Sequence, residues 1–131
     1  MIRRSKRIKT SNSGLSIAST QDTKHLILDD VNTVSGEMPQ EYKRAENTLE
    51  TVQILQSSTI QSIPGRAFEG FTALQSVRMD DGAIVTEIGR RAFHGCTALE
   101  SIEIPDGMTT IGNNAFWGCT ALESIEIPDG V

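Results

Sequence analysis

Residues 101–122 read Ser-Ile-Glu-Ile-Pro-Asp-Gly-Met-Thr-Thr-Ile-Gly-Asn-Asn-Ala-Phe-Trp-Gly-Cys-Thr-Ala-Leu, and they span almost one structural period of the chain. The closing leucine, Leu122, has counterparts at Leu49, Leu74 and Leu99, spaced by 25, 25 and 23 residues. Self-similarity at a fixed period in this range marks a repeat architecture. The neighbours recur with the leucines: LETVQI (Leu49–Ile54), LQSVRM (Leu74–Met79), LESIEI (Leu99–Ile104) and LESIEI again (Leu122–Ile127). First, fourth and sixth positions are apolar in all of them. Each unit then passes a turn, reaches Ile63, Ile88 or Ile111, and arrives at Ala67-Phe68, Ala92-Phe93 or Ala115-Phe116. Gly70, Gly95 and Gly118 follow two residues later, then Phe71, Cys96 or Cys119, then Thr-Ala and the next leucine.

Each landmark has a physical reading. The fourth/sixth alternation with β-branched residues suits a short strand that places every second side chain inward. Asp81-Gly82, Asp106-Gly107 and Asp129-Gly130 are turn dipeptides, with Asp bonding the local backbone and Gly free to take positive φ. The Ala-Phe segment is too short for a free helix, so one helical or 3₁₀ turn is expected, anchored by Phe in the core and ended by a left-handed Gly. A single coil cannot bury its own apolar face. Stability must come from the next coil stacked upon it, strand against parallel strand about 4.8 Å away.

With these landmarks in place, residues 101–122 resemble the BspA-type (Treponema pallidum-type) leucine-rich repeat, through Ile-Pro-Asp-Gly, Ile-Gly and Ala-Phe-x-Gly-Cys. The resemblance covers about Leu49–Val131. Earlier units depart from it: Phe71 stands in place of Cys, Arg78-Met79-Asp80 in place of Glu-Ile-Pro, and Pro64 in place of the Gly after Ile. The resemblance implies a curved solenoid used for protein recognition or adhesion, with no single activity attached. The expected fold is therefore an α/β repeat solenoid. It is a leucine-rich-repeat stack of about four coils, with parallel strands on one wall and short helical or 3₁₀ turns on the other. Leu26-Ile27-Leu28, Val31, Val34, Met38-Pro39 and Tyr42 read as a degenerate first unit. The domain then runs over 25–131, with a capping unit at 25–48, repeats at 49–73, 74–98 and 99–121, and a partial repeat at 122–131. Val131 aligns with Met108 in mid-coil, which points to truncation, completion by a partner, or self-association through the uncapped last coil.

Charge is unevenly placed. Five of the twelve Lys and Arg (Arg3, Arg4, Lys6, Arg7, Lys9) lie in residues 1–10, and the first acid is Asp22. Residues 11–131 then carry seven basic and seventeen acidic groups. A body of that sign repels nucleic acid, whose binding rests on Lys and Arg at phosphates, so only the tail could serve that role. Residues 1–24 read as a disordered basic, Ser-rich tail: a nuclear-import or phosphate-binding patch, a transit segment, or a solvated end. No apolar run approaches the roughly 20 residues of a membrane span, and no signal-peptide core follows the basic start, which favours an intracellular location, cytoplasmic or nuclear.

Because the period brings equivalent residues onto adjacent coils, columns carry more meaning than local motifs. The outward strand positions form the columns Glu50, Gln75, Glu100, Glu123 and Gln53, Arg78, Glu103, Glu126. Like charges on neighbouring strands cost about a few tenths to 1 kcal/mol per pair. A basic partner surface would offset this; the alternative is that duplicated repeats copied the same solvated glutamates. The candidate protein-binding face comprises Ser76, Arg78, Ser101, Glu103, Ser124 and Glu126, with Trp117 as an anchor that is either exposed or packed on a neighbouring coil. Cys96 and Cys119, one period apart and alternating with Phe71, read as stacked buried thiols in preference to a disulfide. His94, aligned with Glu69 and Trp117, joins these cysteines in no four-ligand metal pattern. His25 and His94 sit in no nucleophile motif, and no phosphate-cradling loop is present, so neither an enzyme nor a cofactor is expected. The expected function is a non-enzymatic protein-interaction scaffold with a partner of basic or mixed charge. The alternatives are a fragment of a larger cell-surface adhesin and a nuclear factor acting through its basic tail.

Overall fold

A computed structural model describes residues 24–33 and 36–131 of the protein. The readings placed on the basic tail and on Val34 lie outside the described residues. Among the described residues seven short strands follow in chain order: β1 (His25–Leu28), β2 (Thr51–Ile54), β3 (Ser62–Ile63), β4 (Ser76–Met79), β5 (Glu87–Ile88), β6 (Ser101–Glu103) and β7 (Thr110–Ile111). They form a parallel four-stranded sheet in the order β1-β2-β4-β6 and a parallel three-stranded sheet in the order β3-β5-β7. Strand pairing is in register with the sequence period: Leu26 pairs with Val52, Val52 with Val77 and Val77 with Ile102. All four point into the core, with Leu28, Ile54 and Met79 beside them. Gln53, Arg78 and Glu103, one residue on from Val52, Val77 and Ile102, line up on the outer side as the two-residue strand period demands.

The stack makes about three turns, against the expected four, because the second LESIEI copy forms no strand. Residues 122–128 run without regular structure, and no backbone hydrogen bond joins them to β6 among the described residues. The second sheet was not anticipated. Ile63, Ile88 and Ile111 pair with one another across coils, and the following residue donates back to the previous coil, Gly89 N–H to the Ile63 carbonyl and Gly112 N–H to that of Ile88. Coils approach so closely here that a Cβ on Gly89 would lie 2.5 Å from the Gly65 nitrogen, and one on Gly112 2.6 Å from the Arg90 nitrogen. That contact is the physical content of the Ile-Gly landmark. Pro64 fills the same position in the second coil, where no such donor is used.

The Ala-Phe segments are not helical turns. Arg66, Arg91 and Asn114 before them and Gly70, Gly95 and Gly118 after them all take positive φ, which breaks any run of right-handed residues. Alternate N–H groups bond within the coil and across to the next: Ala67 to Pro64 and Glu69 to Arg66 within, Arg66 to Arg90, Phe68 to Ala92 and Gly70 to His94 across. The result is an arch whose backbone is shared between coils. Among the described residues helix appears once, as a 3₁₀ turn over Gln40–Ala45 in the first unit. There the Tyr42 hydroxyl donates to the Ala67 carbonyl at 2.7 Å, replacing the backbone donor that the arch pattern calls for.

The Asp-Gly turns also differ in detail. Ala83 N–H bonds to the Asp80 carbonyl and Met108 N–H to that of Pro105, yet Gly82, Gly107 and Gly130 are not among the positive-φ residues. Inside the arches, Tyr42, Phe68, Phe93 and Phe116 stack as a column with ring centroids 5.1, 5.3 and 5.6 Å apart. The rings follow the coil spacing, so each Phe buries its neighbour's face.

Candidate protein-binding face

The outer side of the four-stranded sheet carries the residues singled out by their columns. Thr51, Ser76 and Ser101 form one in-register row, and Gln53, Arg78 and Glu103 another. Arg78, Ser101 and Glu103 are exposed and Ser76 is half-buried. Arg78 Nε lies 3.5 Å from Glu103 Oε1 and 3.9 Å from Asp80 Oδ1, while Gln53 Nε2 donates to the same Asp80 oxygen at 3.2 Å. The row is therefore a mixed-charge chain across three strands, not an acidic ladder. Exposed pairs of this kind hold little energy, about 0.2–1 kcal/mol, but they fix which way the side chains lean.

Ser124 and Glu126 do not extend the rows as expected. Both are exposed, but on a segment that makes no ladder to β6, so Glu126 is not the strand neighbour of Glu103. Pairing there would place Glu123 against Glu100 and Glu126 against Glu103, two like-charge contacts. Instead a cleft of about 520 Å³ lies between Glu100–Ile104 on one side and Ser124, Ile125 and Glu126 on the other. A smaller cleft of about 280 Å³ lies beside it over Arg78, Asp80 and Glu103.

Trp117 belongs to a different surface. It stands on the arch, 64% exposed, with its ring stacked on His94 at 4.9 Å and 16°. His94 is half-buried, and its Nδ1 lies 3.5 Å from Glu69 Oε2; Arg91 and Arg66 approach the same carboxylate at 3.8 and 4.0 Å. The column Glu69, His94, Trp117 is thus a connected unit. Alignment of the repeats places these residues together, but three unlike side chains in one column carry no signal of contact until the coils are stacked.

Cys96 and Cys119 are free and buried. Each thiol donates to the phenylalanine carbonyl one coil back, Cys96 to Phe68 at 3.1 Å and Cys119 to Phe93 at 3.2 Å. Burial pushes the Cys96 thiol up to about 12, helped by the neighbouring Cys119, and raises Cys119 for the same first reason. Thiols so held are poor nucleophiles and poor metal ligands, both of which need thiolate. Among the described residues no three His, Cys, Asp or Glu side chains are placed to hold a metal ion, and no helix is long and apolar enough to cross a membrane.

A family model described as the BspA-type leucine-rich repeat region matches residues 41–131 in six copies. The chain belongs to the BspA-type leucine-rich repeat family. Among solved structures, a leucine-rich repeat protein of Treponema pallidum is 31% identical with a TM-score of 0.56, over 63% of this chain and 38% of that one. A leucine-rich repeat protein of Bacteroides ovatus is 21% identical with a TM-score of 0.44, over 82% of this chain and 38% of its own. The chain spans about two fifths of the length of these structures. No curated protein sequence matches it significantly. For a BspA-type repeat the parallel-strand stack and the arch are what the landmarks encode.

Proposed function

We propose that the chain is a non-enzymatic protein-interaction scaffold that reads a basic or mixed-charge partner along Ser76, Arg78, Ser101, Glu103, Ser124 and Glu126. The observation that carries this reading is the exposed, in-register row of polar side chains on a rigid parallel sheet, whose cationic member Arg78 is already paired while Glu103 keeps one side open. Rigid strands lower the ordering cost of binding and leave the outward residues to set specificity. Trp117, held flat by His94, is a separate anchor on the arch, suited to an aromatic or cationic side chain. Residues 25–48 serve as the capping unit: its 3₁₀ turn spans Gln40–Ala45, and the Tyr42 hydroxyl donates to the Ala67 carbonyl of the next arch.

The test is selection of peptides from a random displayed library on the purified chain, repeated on Glu103→Lys/Glu126→Lys. Enrichment of Lys- and Arg-bearing peptides that the double variant loses supports the reading. Peptides that bind both proteins equally, or none enriched at all, sink it.

A further inference from the structure

β6 is the last paired strand of the main sheet. On one side it meets β4 in parallel register; on the other it faces the cleft, with no ladder to residues 122–128. The walls of that cleft alternate. Ile102 and Ile125 point towards the core, whereas Glu100, Glu103 and Glu126 are exposed at its mouth. A strand laid here would need an apolar residue to continue the column Val52, Val77, Ile102, and a cation between Glu103 and Glu126 to continue the row Gln53, Arg78, Glu103.

The molecule already contains a contact of that kind. On the paired side of β6, Val77-Arg78-Met79 of β4 places Arg78 against Glu103 at 3.5 Å and buries Val77 and Met79. On the open side the chain supplies Glu126, of the same sign as Glu103. We propose that the cleft between β6 and residues 124–126 receives an extended segment of a partner protein with the pattern apolar–basic–apolar, which pairs its main chain with β6 and sets its Lys or Arg between Glu103 and Glu126. An unpaired strand edge is a template for such addition. The two glutamates select against acidic strands, since a like charge directly opposite is unfavourable. This rests on the reading of the strand face as a protein-binding surface and names its occupant.

The probe is a synthetic peptide copying residues 74–79, Leu-Gln-Ser-Val-Arg-Met, added to the full chain and followed by calorimetry and amide exchange. Binding is expected, with slowed exchange at residues 101–103. Affinity should fall at least tenfold when the peptide's Arg is replaced by Glu, when its backbone amides are N-methylated, or when the protein carries Glu103→Lys/Glu126→Lys. Binding that survives N-methylation but not charge reversal overturns strand addition while leaving the protein-binding face intact. Failure of the peptide to bind, while library peptides do so elsewhere on the sheet, has the same meaning. A dimer of the chain in light scattering that Glu103→Lys abolishes assigns the cleft to a second copy and overturns the proposal.

Discussion

Residues 99–107 and 122–130 are the same nine amino acids, Leu-Glu-Ser-Ile-Glu-Ile-Pro-Asp-Gly, yet they adopt different structures. In the first copy Leu99 is fully buried, Ile102 is 8% exposed and Ser101–Glu103 is strand β6. In the second, Leu122 and Ile125 are half-buried, Ile127 is 46% exposed and no strand forms. What both keep is the turn: Met108 N–H reaches the Pro105 carbonyl at 3.1 Å, and Val131 N–H reaches that of Pro128 at 3.3 Å. The turn is closed by four consecutive residues and needs no neighbour. The strand needs a hydrogen-bonded partner and a covered apolar face, which the first copy finds on β4 and the second does not find on β6. Energy in this fold therefore resides in stacking between coils.

The largest difference is expected when a ring is removed from the aromatic column. Phe93, fully buried between Phe68 and Phe116, should cost about 3–5 kcal/mol on mutation to Ala, and half-buried Phe116 clearly less. Urea denaturation of the two variants measures the gap, and equal losses would mean that both ends of the column are equally covered. Next is the duplicated isoleucine. Ile102→Ala should lose about 2–4 kcal/mol and Ile125→Ala under about 1, although the nine-residue setting is the same. Parity between them would show that residues 122–128 pack in solution as firmly as β6.

A third pair contrasts two glycines. Gly89→Ala drives a methyl against the Gly65 backbone and should destabilise by about 1–3 kcal/mol. Gly107→Ala meets nothing within 4 Å at a φ that Ala accepts, and its effect should stay within about 0.5 kcal/mol. Thermal melts distinguish them, and a harmless Gly89→Ala would mean that the coils can separate there.

A last contrast concerns the thiols. Cys96 is pushed from 9.0 up to about 12 by burial, then by Cys119, and Tyr42 from 10.0 to about 12 by burial. Raised values in the folded state contribute stability that is whole below pH 9.0 and lost as pH climbs towards 12. Denaturation midpoints should thus start to fall just above pH 9.0 and, in Cys96→Ala/Cys119→Ala, only above Tyr42's unshifted 10.0. At neutral pH a thiol reagent should reach Cys119, 9% exposed, before Cys96 at 0%, and the reverse order would place the looser packing in the interior coils.

The repeat period, the inward strand residues, the arch phenylalanines, the buried cysteines and the left-handed Gly70, Gly95 and Gly118 were legible in the sequence. Each depends on residue type at a fixed spacing. Less was legible where one coil's backbone meets another's. The β3-β5-β7 sheet, the arch in place of a helical turn, and the Gly89 contact all rest on hydrogen bonds between coils, which no single period displays. The same limit held at the candidate face. Columns placed Arg78 beside Glu103 correctly, but they also placed Glu126 beside Glu103, where the structure has a cleft.

A BspA-type stack and the residues that each coil turns inward follow from the amino-acid order alone, because side-chain period and turn chemistry are local. Which copy of Leu-Glu-Ser-Ile-Glu-Ile becomes a strand, and so which strand is the last to pair, is settled by packing between coils. Strand formation in a solenoid is a contract between neighbouring coils, and two identical sequences with different neighbours have no reason to share a structure.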